Sequence, residues 1–230
     1  MHATPQTSGA LLDLDALAGR TFDGVLFDMD GTLIDSMGGA LRSWRAWADE
    51  HGVDQAALAA VGGVPAAQIV AALLPREQVA AGLARIHELE VAEAHAGIAV
   101  LPGVEEALAA LPANRVAIVT SCTRPLLAAR LTGSMLKHPS QVVCVDDLTN
   151  GKPAPDPFLL GAHRLGLDPR RCLVVEDAPA GLAAGRAAGC ATLAVGDTHD
   201  HSELDADAYA PDLSFVRFRS SPAGITVDPR

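Results

Sequence analysis

Four short segments hold the side chains that could do chemistry: Asp28 and Asp30, Thr120-Ser121, Lys152, and Glu176-Asp177. Carboxylates in pairs, a hydroxyl and one ammonium form a coherent set. Carboxylate oxygens suit a hard divalent cation, and the ammonium and hydroxyl suit the oxygens of a phosphoryl group. Lys152 is one of only two lysines, the other being Lys137, against 15 arginines. A chain that otherwise uses arginine has placed a compact point charge at this position.

The elements around these residues explain how they could meet. Thr21 to Asp28 is an apolar run ending in a carboxylate and then Gly31, which predicts a buried strand entering a turn. From Leu101 onward, strands alternate with helices. Strands are expected at Arg115–Thr120, Gln141–Val145, Cys172–Glu176 and Ala191–Val195, with helices at Val104–Leu111, from about Pro125, at Pro157–Leu165 and at Pro179–Ala188. β-Branched strands alternating with helices predict a parallel sheet covered on both faces. Each chemical segment then falls at the C-terminal end of a strand, where open α/β sheets bind their ligands. Between Asp35 and about Ala99 the sequence is Ala-rich and helically periodic, with about four helices and no strand expected. Residues 197–230 show Asp/His-rich turns and one short strand at Gly224–Val227.

Composition narrows the class. The chain is 49% hydrophobic and 20% charged, which is globular. Twenty-eight acidic against 17 basic residues give a formal charge of −11 and argue against a nucleic-acid partner. No stretch has the apolar length of a membrane span, and the first twenty residues lack a basic leader pattern. Cys122, Cys144, Cys172 and Cys190 form no CxxC pair, so buried free thiols in a cytoplasmic, reducing compartment are expected.

With the elements in place, the motifs form a recognisable series. Asp28-Met29-Asp30-Gly31-Thr32-Leu33, Val119-Thr120-Ser121, Gly151-Lys152-Pro153 and Glu176-Asp177-Ala178-Pro179-Ala180-Gly181 resemble, in order, the four motifs of the haloacid dehalogenase-like superfamily, over about residues 22–196. The resemblance implies an α/β, Rossmann-like parallel core at 20–35 and 100–230, with an inserted all-helical cap at 36–99. It implies that Asp28 is a nucleophile forming an aspartyl-phosphate and that Asp30 is first general acid, then general base. Ser121, Cys122 (through its main-chain amide) and Lys152 would bind the phosphoryl group. Mg²⁺ would be held by Asp28, the Asp30 main-chain carbonyl and Asp177. Glu176 is counted with the metal set, a supporting position being its alternative.

Finer similarity, in Ser43–Asp49, Val119–Thr123, Gly151–Pro157 and Glu176–Gly185, is to bacterial sugar or hexitol phosphatases and fungal glycerol-3-phosphatases. A small phosphorylated sugar or polyol is therefore the expected substrate, with a monomer favoured and no membrane partner. Two departures stand out: position 122 is Cys where such relatives carry Gly, and the cap segment Val61-Gly62-Gly63-Val64-Pro65 has no basic residue. A phosphomutase of the beta-phosphoglucomutase type is the alternative, and that absent cap-loop charge counts against it. A dehalogenase would lack Asp30, and a non-catalytic phosphate-binding module would be expected to lose Asp28, Asp30 or Lys152. Several other residues receive plainer readings. Trp44 and Trp47 are assigned to a cap core. Arg45, His87 and His95 go to the surface or to packing, while Ser121 could also cap the following helix. His199-Asp200-His201 is not read as a metal site, because three adjacent loop residues cannot all face one ion.

Overall fold

The computed structural model describes residues 12–60, 66–95, 97–196 and 198–230. In chain order the elements are β1 (Gly24–Phe27), β2 (Ile34–Asp35), α1 (Met37–His51), α2 (Gln55–Ala60), α3 (Ala66–Leu73), α4 (Val79–Ala94), β3 (Ala99–Val100), α5 (Val104–Ala109), β4 (Val116–Val119), α6 (Arg124–Ser134), β5 (Gln141–Val143), α7 (Asp156–Leu165), β6 (Cys172–Glu176), α8 (Pro179–Ala187), β7 (Ala191–Val195), β8 (Ala208–Ala210), β9 (Val216–Ser221) and β10 (Gly224–Pro229). They form two units: 12–33 with Val100–Ser121 and Lys137–Arg230, and Ile34–Ala99 with Cys122–Leu136.

The first unit is built on a six-stranded sheet in the order β5-β4-β1-β6-β7-β8, with every neighbouring pair parallel. This is the Rossmann-like α/β arrangement. Strands β1, β4, β6 and β7 are buried at every position, as a sheet covered on both faces requires. Leu26, Val119 and Val174 pack with Phe158 and Ala162 of α7 and Ala184 of α8 on one face. Phe27, one residue on and therefore pointing the other way, meets the Phe218 ring of β9 edge-on at 5.9 Å. Strand β1 is central. The chain goes from β1 to β4 and β5 on one side, then returns to β6 on the other, so the order reverses at β1 and opens a crevice at its C-terminal end.

Three elements differ from expectation. The sheet gains a sixth strand, β8, whose three residues are too short to show a pattern. The strand expected at Gly224–Val227 is one arm of an antiparallel hairpin with β9, anchored by a bridge from Ile225 to Phe22. The stretch expected to hold no strand is bounded by the two-residue β2 and β3, which pair with each other.

The second unit consists of α1 to α4 together with α6. Trp47 is fully buried among Val70, Leu74 and Ile86, its Nε1 donating to the Gly82 carbonyl at 2.8 Å. Trp44 meets it edge-on at 5.4 Å, so the tryptophans form a helical core. Helix α6 had been expected within the α/β core; it groups instead with these helices, Gly133 lying against the Ala94 carbonyl at the end of α4. The segment Val61–Pro65 lies outside the described residues. Among the described residues, no helix is long and apolar enough to cross a membrane.

Candidate active site

Strand register places the carboxylates. Phe27 of β1 pairs with Val175 of β6, and the Asp28 amide donates to the Val175 carbonyl at 2.9 Å, so Asp28 and Glu176 leave adjacent strands side by side. Asp177 follows. Carboxylate oxygens of Asp28, Glu176 and Asp177 lie within 4.8 Å of one another, and all three residues are buried. Lys152 reaches in from the loop between β5 and α7. Its Nζ donates to Asp28 Oδ1 and, at 2.8 Å, to Glu176 Oε1, and its side chain is only 6% exposed.

Glu176 has little capacity left for anything else. Its Oε2 accepts the main-chain amides of Asp177 at 2.8 Å and Ala178 at 2.7 Å, while Oε1 takes Lys152. Gly181 of α8 makes this position possible: a Cβ there would stand 1.6 Å from Glu176 Oε1. Gly31 does the same for Asp177, since a Cβ would fall 2.1 Å from Asp177 Oδ2, and its φ of +81° is one a side chain rarely adopts.

Crowding like charges in a dry place has the expected electrical consequence. Burial, reinforced by the charges of Glu176, Asp177 and Asp30, pushes the Asp28 carboxyl well above the usual range; Lys152 opposes this without cancelling it. Burial and the Glu176 charge lift Asp177 to about 7. Burial works against the Lys152 ammonium, but Asp28 and Glu176 outweigh it and raise its pKa above the ordinary lysine value. Three buried carboxylates against one ammonium leave negative charge that the cluster's own cation does not balance. That donor chemistry fits a hard divalent ion.

The remaining expected residues divide. Asp30 is half-buried two residues beyond Asp28, and its side chain is not among the converging carboxylates. Thr120 is buried, its amide donating to the Val143 carbonyl at 2.9 Å, and Ser121 after it is exposed. Cys122 is buried with its thiol 2.6 Å from Arg130 Nη1, so its side chain is turned to α6; only its main chain is left for the role expected of it. The sequence reading missed Thr198, whose hydroxyl donates to Asp177 Oδ2 at 2.6 Å. A signal existed: it is a hydroxyl just beyond the end of β7, at the same edge of the sheet as the other polar groups.

Comparison with known proteins bears on the family and the fold. A family described as haloacid dehalogenase-like hydrolase matches residues 22–189. The chain is 38% identical over 211 residues to hexitol phosphatase A of Escherichia coli (strain K12), covering 89% of this chain and 97% of that one. It is 34% identical over 179 residues to fructose-1-phosphate phosphatase YqaB of the same organism, covering 73% and 93%. Among solved structures, a hydrolase from Pseudomonas syringae superposes with a TM-score of 0.73 at 24% identity, covering 84% of this chain and 94% of that one, a likeness of fold. Both named relatives are phosphoric monoester hydrolases.

Proposed function

The chain belongs to the haloacid dehalogenase-like hydrolase family, and from that premise we propose that it is a Mg²⁺-dependent phosphatase of a small sugar or polyol phosphate, working through an aspartyl-phosphate. The observation that carries this reading is the buried Asp28 carboxylate, held by Lys152 beside Glu176 and Asp177. A nucleophile for phosphorus has to be ionised, immobile and dry; this arrangement supplies the last two, and ionisation is the part assigned to Lys152 together with a bound cation.

Each residue then has a task. Asp28 attacks phosphorus; its Oδ–P bond forms as the bond to the sugar oxygen breaks, and Asp30 gives its proton to that oxygen. Asp30 next takes a proton from water, whose oxygen attacks phosphorus and frees Asp28 and inorganic phosphate. Lys152 restrains Asp28 and neutralises phosphoryl oxygens, joined by Ser121 and the Cys122 amide. Glu176, with both oxygens occupied, holds Lys152 in place and is assigned here a supporting role instead of a ligand's. Mg²⁺, held by Asp28, the Asp30 main-chain carbonyl and Asp177, would keep Asp28 ionised and offset phosphoryl charge. The helices of 36–99 are assigned the part of a cap that excludes water and limits substrates to small molecules. The names of the two relatives, a hexitol and a fructose-1-phosphate phosphatase, support the substrate class. Four free, buried cysteines suit a reducing, cytoplasmic setting.

The test is phosphate release from hexose, hexitol and glycerol phosphates, with Mg²⁺ and with EDTA. One or a few sugar or polyol esters are expected to be hydrolysed, only with metal. Asp28→Asn is expected to lower the rate at least about 1,000-fold while remaining folded. Turnover of the variant at the native rate, or undiminished activity in EDTA, sinks the assignment.

A further inference from the structure

Two side chains outside every motif bear on Asp177. Thr198 Oγ1 donates to Asp177 Oδ2 at 2.6 Å and also lies 3.3 Å from the Asp177 main-chain carbonyl. A hydroxyl has one proton, and the short contact to the carboxylate claims it. His199 Nδ1 stands 3.2 Å from the same Oγ1. When Asp177 is ionised, as a metal ligand is, the threonine proton is spent and the imidazole is the donor, with its proton on Nδ1. Gly31 lies against the same pair. Its Cβ position would be 2.1 Å from Asp177 Oδ2 and 3.2 Å from Thr198 Cγ2, so any side chain there would displace the carboxylate or the threonine.

We propose that Thr198, backed by His199, is a positioning residue that sets the affinity of the site for its divalent cation. The inference rests on the reading of Asp177 as a metal ligand. An unrestrained carboxylate would swing away from Glu176, whose charge repels it, and would have to be reordered on each binding event. Held from behind by a hydroxyl, it is ordered before the cation arrives, and groups that orient metal ligands in this way typically contribute 10- to 100-fold in affinity. Thr198→Val removes the donor and keeps the shape. Thr198→Ser keeps the donor.

Mg²⁺ affinity of the metal-free full chain, measured by isothermal titration calorimetry alongside its unfolding temperature, tests this. Thr198→Val is expected to weaken Mg²⁺ binding about 10- to 100-fold, with Thr198→Ser within about threefold of the native chain. The metal-free unfolding temperatures of native and variant chains are expected to agree within a few degrees. Native Mg²⁺ affinity in Thr198→Val overturns the proposal, as does a serine variant as weak as the valine one, which would assign the effect to the methyl group. A native chain that binds no Mg²⁺ overturns the reading of the site itself, and this inference with it. That result is distinct from a native chain that binds while the variants make no difference.

Discussion

Replacing Asp177 with Asn is expected to make the metal-free protein more stable at pH 8, although it removes a proposed ligand. Asp177 is 6% exposed, and burial, then the Glu176 charge, lift its carboxyl from an ordinary 3.8 to about 7. The unfolded chain releases this proton near 3.8, whereas the folded chain keeps it to about 7. Below pH 3.8 both states are protonated and nothing is lost. Between 4 and 7 the unfolded state gains by ionising, so stability falls as pH rises, and above about 7 the loss is complete. At about 1.4 kcal/mol per factor of ten in proton affinity, the loss is about 4 kcal/mol. Asparagine has the same shape, still accepts from Thr198 and carries no charge. Urea unfolding followed by circular dichroism in EDTA is therefore expected to show Asp177→Asn about 4 kcal/mol more stable than the native chain at pH 8, with the gap closing towards pH 4. Mg²⁺ narrows the gap, because a cation binding the native carboxylates at 100 times its Kd stabilises them by about 2.7 kcal/mol and has less to hold in the variant. A variant no more stable than the native chain at pH 8 without metal, or a gap that ignores pH, would refute the idea that this cluster stores unbalanced charge.

Two smaller changes probe the packing around the site. Gly181→Ala puts a methyl group 1.6 Å from Glu176 Oε1 and has to displace it. Despite alanine's better helix propensity, it is expected to cost about 1–3 kcal/mol in chemical denaturation and to lower kcat by about 100-fold through Lys152; native stability would show that Glu176 is not wedged as described. The Thr32 hydroxyl is buried with no hydrogen-bond partner among the described residues. Removing it in Thr32→Val is expected to stabilise the fold by about 1 kcal/mol, seen as a melting temperature about 2–4 °C higher, and a lower melting temperature would contradict the orphan assignment.

Much of the site was legible because its signals are local. An apolar run that ends in a carboxylate marks a strand's exit, and β1, β6 and β7 lie where the pattern placed them, β6 and β7 to the residue. The alternation with helices sets the strands parallel, and parallel strands bring their C-terminal ends to one edge, so Asp28, Lys152, Glu176 and Asp177 could be grouped before any coordinates. The β9 arm also carries a local signal: Val216 and Phe218 point inward while Arg217 and Arg219 point out, a period of two over only four residues.

Other features depended on partners distant in sequence. The supporting role proposed for Glu176 turns on where its two oxygens go, and they are taken up by Lys152, 24 residues away, and by the turn that follows. Thr198 lies 21 residues beyond Asp177, in a stretch with no motif. Cys122 directly follows Ser121, yet its side chain is claimed by Arg130 one helix later. Residue types and spacing determine which groups reach the crevice, because strand direction and side-chain alternation are properties of the local chain. Which oxygen of each group remains available is decided by hydrogen bonds that close only when β1, β6, β7 and the Lys152 loop are assembled, since each buried donor there must find its one acceptor.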